Sequence, residues 1–388
     1  MDLPPQPHYF SAEHEAFRAA LRDLVDREIR PHVNDWDEAG TFPRELYRRI
    51  ADLGVTGIGY PEEYGGTPAD IFYKLIVSEE LARAGCGGVA ASLHSYSIGL
   101  PPVLAHGSEE LKRRIIPPVL AGEKIAALAI TEPGGGSDVA ALATTAVRDG
   151  DHYVLNGEKV FITSGMRADV ITVAVRTDPA SRGAQGISAI VVEAPTPGLS
   201  RTELKKMGWW ASDTAHLRFE DCRIPVANLV GAENQGFKVF MNNFNSERLG
   251  MSASACGYAR VCYDEALDWA RNRVTFGAPL AQRQVIRHKL VDMALRIEAA
   301  RTFVLELAWR VQHEAGDPAA LVARTCMAKI QATQAMQFCA DQAVQILGGM
   351  GFMRGTRSER IYREVKVMMI GGGSEEIMKD LAARQLGI

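Results

Sequence analysis

The chain has no apolar run long enough to span a bilayer, no basic segment leading into an apolar stretch at its start, and neither an internal repeat nor a low-complexity tract. We therefore expect no membrane helix and no cleaved leader, and a cytoplasmic location. A surplus of positive charge is also missing. Lys and Arg total 43 against 47 Asp and Glu, a formal net charge of −4, which supplies no attractive field for nucleic acid. Cysteine is sparse. Cys86, Cys222, Cys256, Cys262, Cys326 and Cys339 stand apart, with no C-x-x-C pair, so buried reduced thiols are expected. His94, His106 and His288 lack ligand spacing, and no metal is expected. No G-x-G-x-x-G follows a strand pattern and no G-x-x-x-x-G-K-[ST] occurs, which disfavours Rossmann and P-loop enzymes.

What the chain does have is a hydrophobic period that changes twice along its 388 residues. From Ser11, which reads as a helix N-cap, to about Gly122 the period is helical: Phe17, Leu21, Leu24 and Val25 form a stripe, and Pro31, Pro61 and Pro101 mark breaks. Between Lys124 and Pro225 the chain alternates and is rich in β-branched residues, as in Val170-Ile-Thr-Val-Ala-Val175 and Ile187-Ser-Ala-Ile-Val-Val192. Asp149-Gly150 and Asn156-Gly157 read as tight turns on either side of Tyr153-Val-Leu155. Helical stripes resume after Gly231-Ala-Glu-Asn-Gln-Gly236, broken at Gly277, Gly316-Asp-Pro318 and Gly348-Gly349. The expected architecture is α+β and mostly α: residues 1–122 a helical domain, 123–230 an antiparallel β-sheet domain, and 231–388 a four-helix bundle.

Two distant segments carry the chemistry. Asn245-Ser-Glu-Arg-Leu249 puts the Glu247 carboxylate on the helix face shared by Phe240 and Met251, where the ionised form is poorly solvated and its proton affinity rises toward the general-base range. For an arbitrary glutamate a half-exposed ion pair is the commoner outcome. Ile370-Gly-Gly-Gly-Ser-Glu-Glu376 is a glycine loop whose backbone N–H groups can approach a ligand closely.

Five segments, in order, resemble the signatures of the acyl-CoA dehydrogenases: Thr131-Glu-Pro-Gly-Gly-Gly-Ser-Asp138, Asn156-Gly-Glu-Lys-Val-Phe-Ile-Thr-Ser-Gly165, Met207-Gly-Trp209 with Ser212-Asp-Thr214, Arg273-Val-Thr-Phe-Gly277, and Gln345-Ile-Leu-Gly-Gly-Met-Gly-Phe352. The resemblance implies FAD as cofactor, with Thr131 and Thr163 bonding the flavin pyrimidine and N5, and Phe161 beside the ring. It implies that Arg273 meets the FAD pyrophosphate of a neighbouring subunit, that Gln345, Gly348 and Gly349 receive that FAD's adenosine half, and that Phe276 and Gln284 belong to the cofactor set. On spacing alone, Arg273 also suits a helix C-terminus and the glycines a helix cap. Ser374 and Glu376 join the cofactor set by the same resemblance. Ser137 is implied near the CoA pyrophosphate and the cofactor, and Asn245, Arg248 and Gly371 near the substrate.

Most members carry the catalytic glutamate in a C-terminal Tyr-Glu-Gly-Thr run, which aligns here with Gly371 at the Tyr and Gly372 at the Glu. The long-chain and isovaleryl types place it on the helix opening the last domain, in a Glu-Arg-Leu context that Glu247-Arg248-Leu249 matches. The implied reaction has Glu247 remove the pro-R α-proton of an acyl-CoA while the β-hydride passes to flavin N5, giving a trans-2-enoyl-CoA. The flavin ribityl hydroxyl and the Gly372 N–H would hold the developing enolate oxygen. Electron-transfer flavoprotein is the implied acceptor and a homotetramer, a dimer of dimers, the implied assembly. With side chains missing at 371 and 372, a cavity admitting branched or bulky acyl groups is expected. A flavin-dependent monooxygenase or oxidase on the same fold, and a non-catalytic assembly homologue, are the competing readings.

Overall fold

The computed structural model describes residues 6 and 8–388. Its first third is helical: α1 (Ala12–Leu24), α2 (Val33–Ala39), α3 (Glu45–Asp52), α4 (Ile71–Ala82), α5 (Gly87–Leu93), α6 (Tyr96–Gly99), α7 (Pro101–His106) and α8 (Glu109–Leu120). Ser11 does cap α1, its side chain accepting from the His14 N–H while the Ser11 N–H is bonded by the His14 ring. Pro31 sits in a one-turn 3-10 segment, Pro61 precedes another, and Pro101 opens α7, each where a missing N–H is tolerated.

Strands follow: β1 (Ala126–Ala129), β2 (Thr145–Asp149), β3 (His152–Thr163), β4 (Val170–Arg176), β5 (Ile187–Glu193), β6 (Leu199–Glu203), β7 (Thr214–Pro225) and β8 (Leu229–Val230). They form one sheet in the order β6-β7-β3-β2-β4-β5-β8, with β1 alongside β4. The sheet is mixed and not purely antiparallel: β2 meets β4 in parallel at Thr145 and Arg176, and β1 runs parallel to β4 along its length. The cause is local: the Ile125 carbonyl accepts the N–H groups of Asp169 and Val170, and the Asp169 carboxylate takes the Ile125 N–H at 2.7 Å, so both strands start from one clasp.

Asp149-Gly150 does turn the chain, between β2 and β3, with Asp149 paired to His152. Asn156-Gly157 does not. It lies inside β3 at a register shift against β7, and a Cβ on Gly157 would stand 2.7 Å from the Thr144 Cα. The glycine is there for close approach within a bulged strand.

The last third holds α9 (Gly236–Asn272), the short hairpin β9 (Val274–Thr275) and β10 (Ala278–Pro279), α10 (Gln284–Gln312), α11 (Pro318–Leu347), α12 (Gly349–Phe352), α13 (Arg357–Ile370) and α14 (Glu375–Leu386). Arg324 of α11 pairs with Glu306 of α10 at 2.6 Å, and Cys339 reaches back to the Met293 carbonyl, so α10 and α11 run antiparallel. Lys329 lies near Glu247 and Cys339 near Cys262, so α9 and α11 run parallel. One apolar core joins these helices to α4 through Phe72, Leu75 and Ile76. All six cysteines are buried and free.

The chain ends are tied by charge. Asp37 of α2, fully buried, meets Arg363 of α13 at 2.9 Å and Arg360 at 3.4 Å, while Glu364 accepts the Gly87 N–H at the start of α5. Among the described residues, no helix is long and apolar enough to cross a membrane.

Candidate active site

Glu247 occupies the early part of α9, in a stretch whose Phe240, Leu249 and Ala253 are buried. Its Oε2 is shielded from solvent and has no hydrogen-bond partner. An unpartnered buried oxygen is costly for a carboxylate and bearable for a carboxylic acid. Burial accordingly pushes the group up to about 7, against the opposing pull of Arg248 and Lys329.

The glycine loop stands beside it. The Gly371 N–H bonds the Val367 carbonyl at 2.7 Å and closes α13. Gly372 and Gly373 then take φ of +67° and +113°, which side chains resist and glycine accepts. Two cations fix the carbonyls so exposed: Arg248 Nε donates to Gly372 O at 3.0 Å, and Lys329 Nζ donates to Gly373 O at 2.6 Å and to Met369 O at 3.0 Å. Arg248 also donates to Asn245 Oδ1 at 3.2 Å. The Gly372 N–H has no acceptor among the described residues.

The space vacated by side chains at 371 and 372 is taken by Met251, one turn beyond Glu247. A Cβ on Gly372 would lie 2.8 Å from the Met251 sulfur, and one on Gly371 would lie 3.9 Å from its methyl. The remaining acids of the loop point to other partners. Glu375 pairs with Lys379 at 2.6 Å and Gln334 at 3.0 Å, Ser374 caps α14, and Glu376 lies exposed in its first turn.

A second group gathers on the sheet. The Thr131 carbonyl accepts the Val160 N–H at 2.9 Å, which sets the end of β1 against β3. There β3 bulges between Lys159 and Ile162, and Phe161 takes φ +62° with its ring 68% exposed. A left-handed aromatic costs about 1–2 kcal/mol, strain of the kind that collects at ligand sites. Thr163 ends the strand, paired with Thr214. An exposed aromatic face edged by two threonines fits a flat heteroaromatic ring with polar rims, as an isoalloxazine is. Ser137 stands exposed on the adjoining glycine-rich loop, which Glu132 braces by accepting from the Ala143 and Thr144 N–H groups and from the buried Lys159 ammonium at 2.7 Å.

The third group is remote. Arg273 ends α9, exposed, with its guanidinium 5.9 Å from the Trp269 ring centre. Phe276 tips the β9–β10 turn at φ +50° and is 98% exposed. Gln284 opens α10, and because α10 and α11 are antiparallel it shares an end of the bundle with Gln345, Gly348 and Gly349. That end lies 25 residues along α9 from Glu247, roughly 37 Å at about 1.5 Å per residue. Within one chain, Arg273 and its neighbours do not join the Glu247 site.

Lys329 and the Glu132–Lys159 pair did not stand out in the sequence. The one available signal for Lys329 was a cation set among Ala328 and Ala332 on an apolar helix face, where solvation has to come from the protein.

The chain matches the N-terminal domain of acyl-CoA dehydrogenase over residues 11–123, the middle domain over 127–222 and the C-terminal domain over 234–387. It is similar to the crystal structure of a putative acyl-CoA dehydrogenase from Mycobacterium smegmatis, with 47% identity, TM-score 0.94, and coverage of 98% of this chain and 99% of that one. It is 39% identical to the short-chain specific acyl-CoA dehydrogenase of Rattus norvegicus, over 96% of this chain and 90% of that protein. It is 36% identical to the isobutyryl-CoA dehydrogenase of Dictyostelium discoideum, over 99% of this chain and 92% of that protein. Neither curated name carries the long-chain or isovaleryl subtype.

Proposed function

The chain belongs to the acyl-CoA dehydrogenase family, a family of FAD-dependent oxidoreductases, and from that membership we propose that Glu247 is the base that takes the α-proton of an acyl-CoA thioester. The observation that carries this reading is the Glu247 carboxyl itself: half-buried, with one shielded oxygen that has no partner, raised to about 7, and set beside a glycine loop whose own acids are turned to other partners or to solvent. A base with an affinity near neutral combines a useful deprotonated fraction with a real driving force for proton abstraction.

Bound FAD supplies the acceptor for the β-hydride. The residues of this chain do the rest. Thr131, Thr163 and Phe161 hold the flavin ring on the bulged end of β3, and Ser137 serves cofactor and CoA from the adjoining loop. The free Gly372 N–H donates to the thioester oxygen as negative charge grows there, a contribution of a few kcal/mol when the donor is held in place beforehand. Arg248 fixes that donor through the Gly372 carbonyl and orders Asn245 at the same time, with Gly371 alongside the substrate.

Arg273, Phe276, Gln284, Gln345, Gly348 and Gly349, with Ser374 and Glu376 nearer the glycine loop, complete the cofactor set. The roughly 37 Å between the far end of the bundle and Glu247 favours their acting on the FAD of a second subunit, within a homotetramer arranged as a dimer of dimers. Electron-transfer flavoprotein is the proposed acceptor and the cytoplasm the proposed location.

For the substrate, the relatives are named for short-chain and isobutyryl thioesters, so we infer short and branched acyl groups. The position of the base is the feature shared with the long-chain and isovaleryl type. Anaerobic bleaching of the purified flavoprotein across straight and branched acyl-CoAs tests the whole reading. Bleaching by at least one short or branched thioester, lost in Glu247→Gln, is the expected result, and bleaching by none of the series would end the proposal.

A further inference from the structure

Lys329 is an ammonium with almost no exposure, 1%, in the middle of α11. Its two hydrogen bonds go to neutral carbonyls, Met369 O at the last turn of α13 and Gly373 O in the glycine loop. Burial without a bonded carboxylate pulls it down to about 8. The titratable and charged groups that act on it include Glu247 and Arg248 from α9, the Cys326 thiol from α11 itself, and Glu375 from α14. α13 and the loop bond it through backbone carbonyls. Glu247 is therefore the acid within its reach whose carboxylate lacks a hydrogen-bonded cation, since Glu375 is held by Lys379.

We infer that Lys329 is a positioning residue for the dehydrogenation: it anchors the glycine loop one residue beyond the Arg248 contact and keeps the Glu247 carboxylate in its proton-accepting form. The two roles share one cause. An ammonium held by the Gly373 carbonyl fixes the peptide that follows Gly373, and its uncancelled charge favours the anionic state of the neighbouring acid. This rests on Glu247 being the base, and the experiment separates the two claims.

The rate of anaerobic bleaching under saturating acyl-CoA is followed against pH in the FAD-loaded enzyme, with melting temperature and flavin content recorded for every variant. In the wild type the rate should rise through an acid limb, and Glu247→Gln should abolish the limb; a limb that persists in Glu247→Gln would defeat the base assignment. Given that limb, Lys329→Gln removes the charge while keeping a donor. Its limb should move to higher pH by about one unit, because one nearby positive charge no longer opposes protonation of Glu247, and its plateau should fall about tenfold. A folded, flavin-loaded Lys329→Gln with an unmoved limb would overturn the inference. Lys329→Arg guards against a Gln variant that fails to fold. It keeps the charge and should keep the limb where the wild type has it, while the plateau drops because a planar fork does not reproduce the two carbonyl bonds. A limb displaced upward in Lys329→Arg would count against the charge as the cause.

Discussion

Arg248 Nε donates to the Gly372 carbonyl at 3.0 Å, a contact between residues 124 positions apart that joins the helix bearing the proposed base to the loop bearing the proposed oxyanion donor. A bond from a charged guanidinium to a carbonyl is worth about 1.5–3 kcal/mol, and here it ties two halves of one reaction into a single rigid piece.

Glu247→Gln keeps the size of the side chain and loses its ability to accept a proton. It should bind acyl-CoA and perturb the flavin spectrum while bleaching at least ~10²-fold more slowly, the scale of losing a general base. Glu375→Gln and Glu376→Gln are the controls, since Glu375 is engaged with Lys379 and Gln334 and Glu376 faces solvent. Near-normal bleaching in Glu247→Gln with collapse in either control would move the base to the loop.

The same carboxyl has a signature in stability. Its value rises from an ordinary 4.5 to about 7, so the folded state holds the proton more tightly than the unfolded one. The associated stability is complete below about pH 4.5 and is lost as pH climbs through 7. Glu247→Gln has no proton to lose. It should melt close to the wild type near pH 4.5 and above it at pH 8, by on the order of 1–3 kcal/mol. Calorimetry at the two pH values decides, and a variant no more stable than the wild type at pH 8 would show that the carboxyl is better solvated than its shielded oxygen indicates.

Arg273→Ala should weaken FAD retention and assembly together. The residue is exposed within one chain, at the bundle end that carries Gln284 and Gln345, where the proposed function has it meet the FAD of a second subunit. Loss of a charge-assisted bond to a phosphate predicts roughly 10- to 10²-fold faster flavin loss. Flavin release and sedimentation measured on the same preparation check this; a variant that keeps its FAD and its assembly refutes the assignment.

Restoring a glutamate at the loop is a stricter test of shape. Gly372→Glu in the Glu247→Gln background should not recover activity, because the new Cβ meets the Met251 sulfur at 2.8 Å and the backbone stays left-handed, costing about 1–2 kcal/mol. Adding Met251→Ala relieves the contact and should recover part of the rate. Alone, Met251→Ala should raise kcat/KM for branched over straight thioesters, since it opens the volume beside Glu247. An unchanged ratio would mean that Met251 does not line the acyl site.

Much of this was legible in the sequence because it is local. The stripe from Phe240 to Cys262 marks α9 and its buried face, Ser11 announces a cap, and Asp149-Gly150 announces a hairpin. What escaped depends on partners far along the chain. Asn156-Gly157 has turn chemistry, but Thr144 packs on it and β7 pairs across it, so a bulge results. The parallel β1 follows from the Ile125–Asp169 clasp, and the role of Lys329 from carbonyls at 369 and 373. No period or propensity in a window of fifteen residues records such contacts.

The Asp37 knot has a consequence for how the chain is made. The ribosome delivers Asp37 first and its partner Arg363 326 residues later, so throughout synthesis the acid lacks the guanidinium that its burial requires. The opening helices should therefore pack on their own apolar core but stay less stable until α13 emerges and supplies the guanidinium. A nascent chain stalled before residue 357 will be digested through its first helices by a protease that spares them in the finished protein.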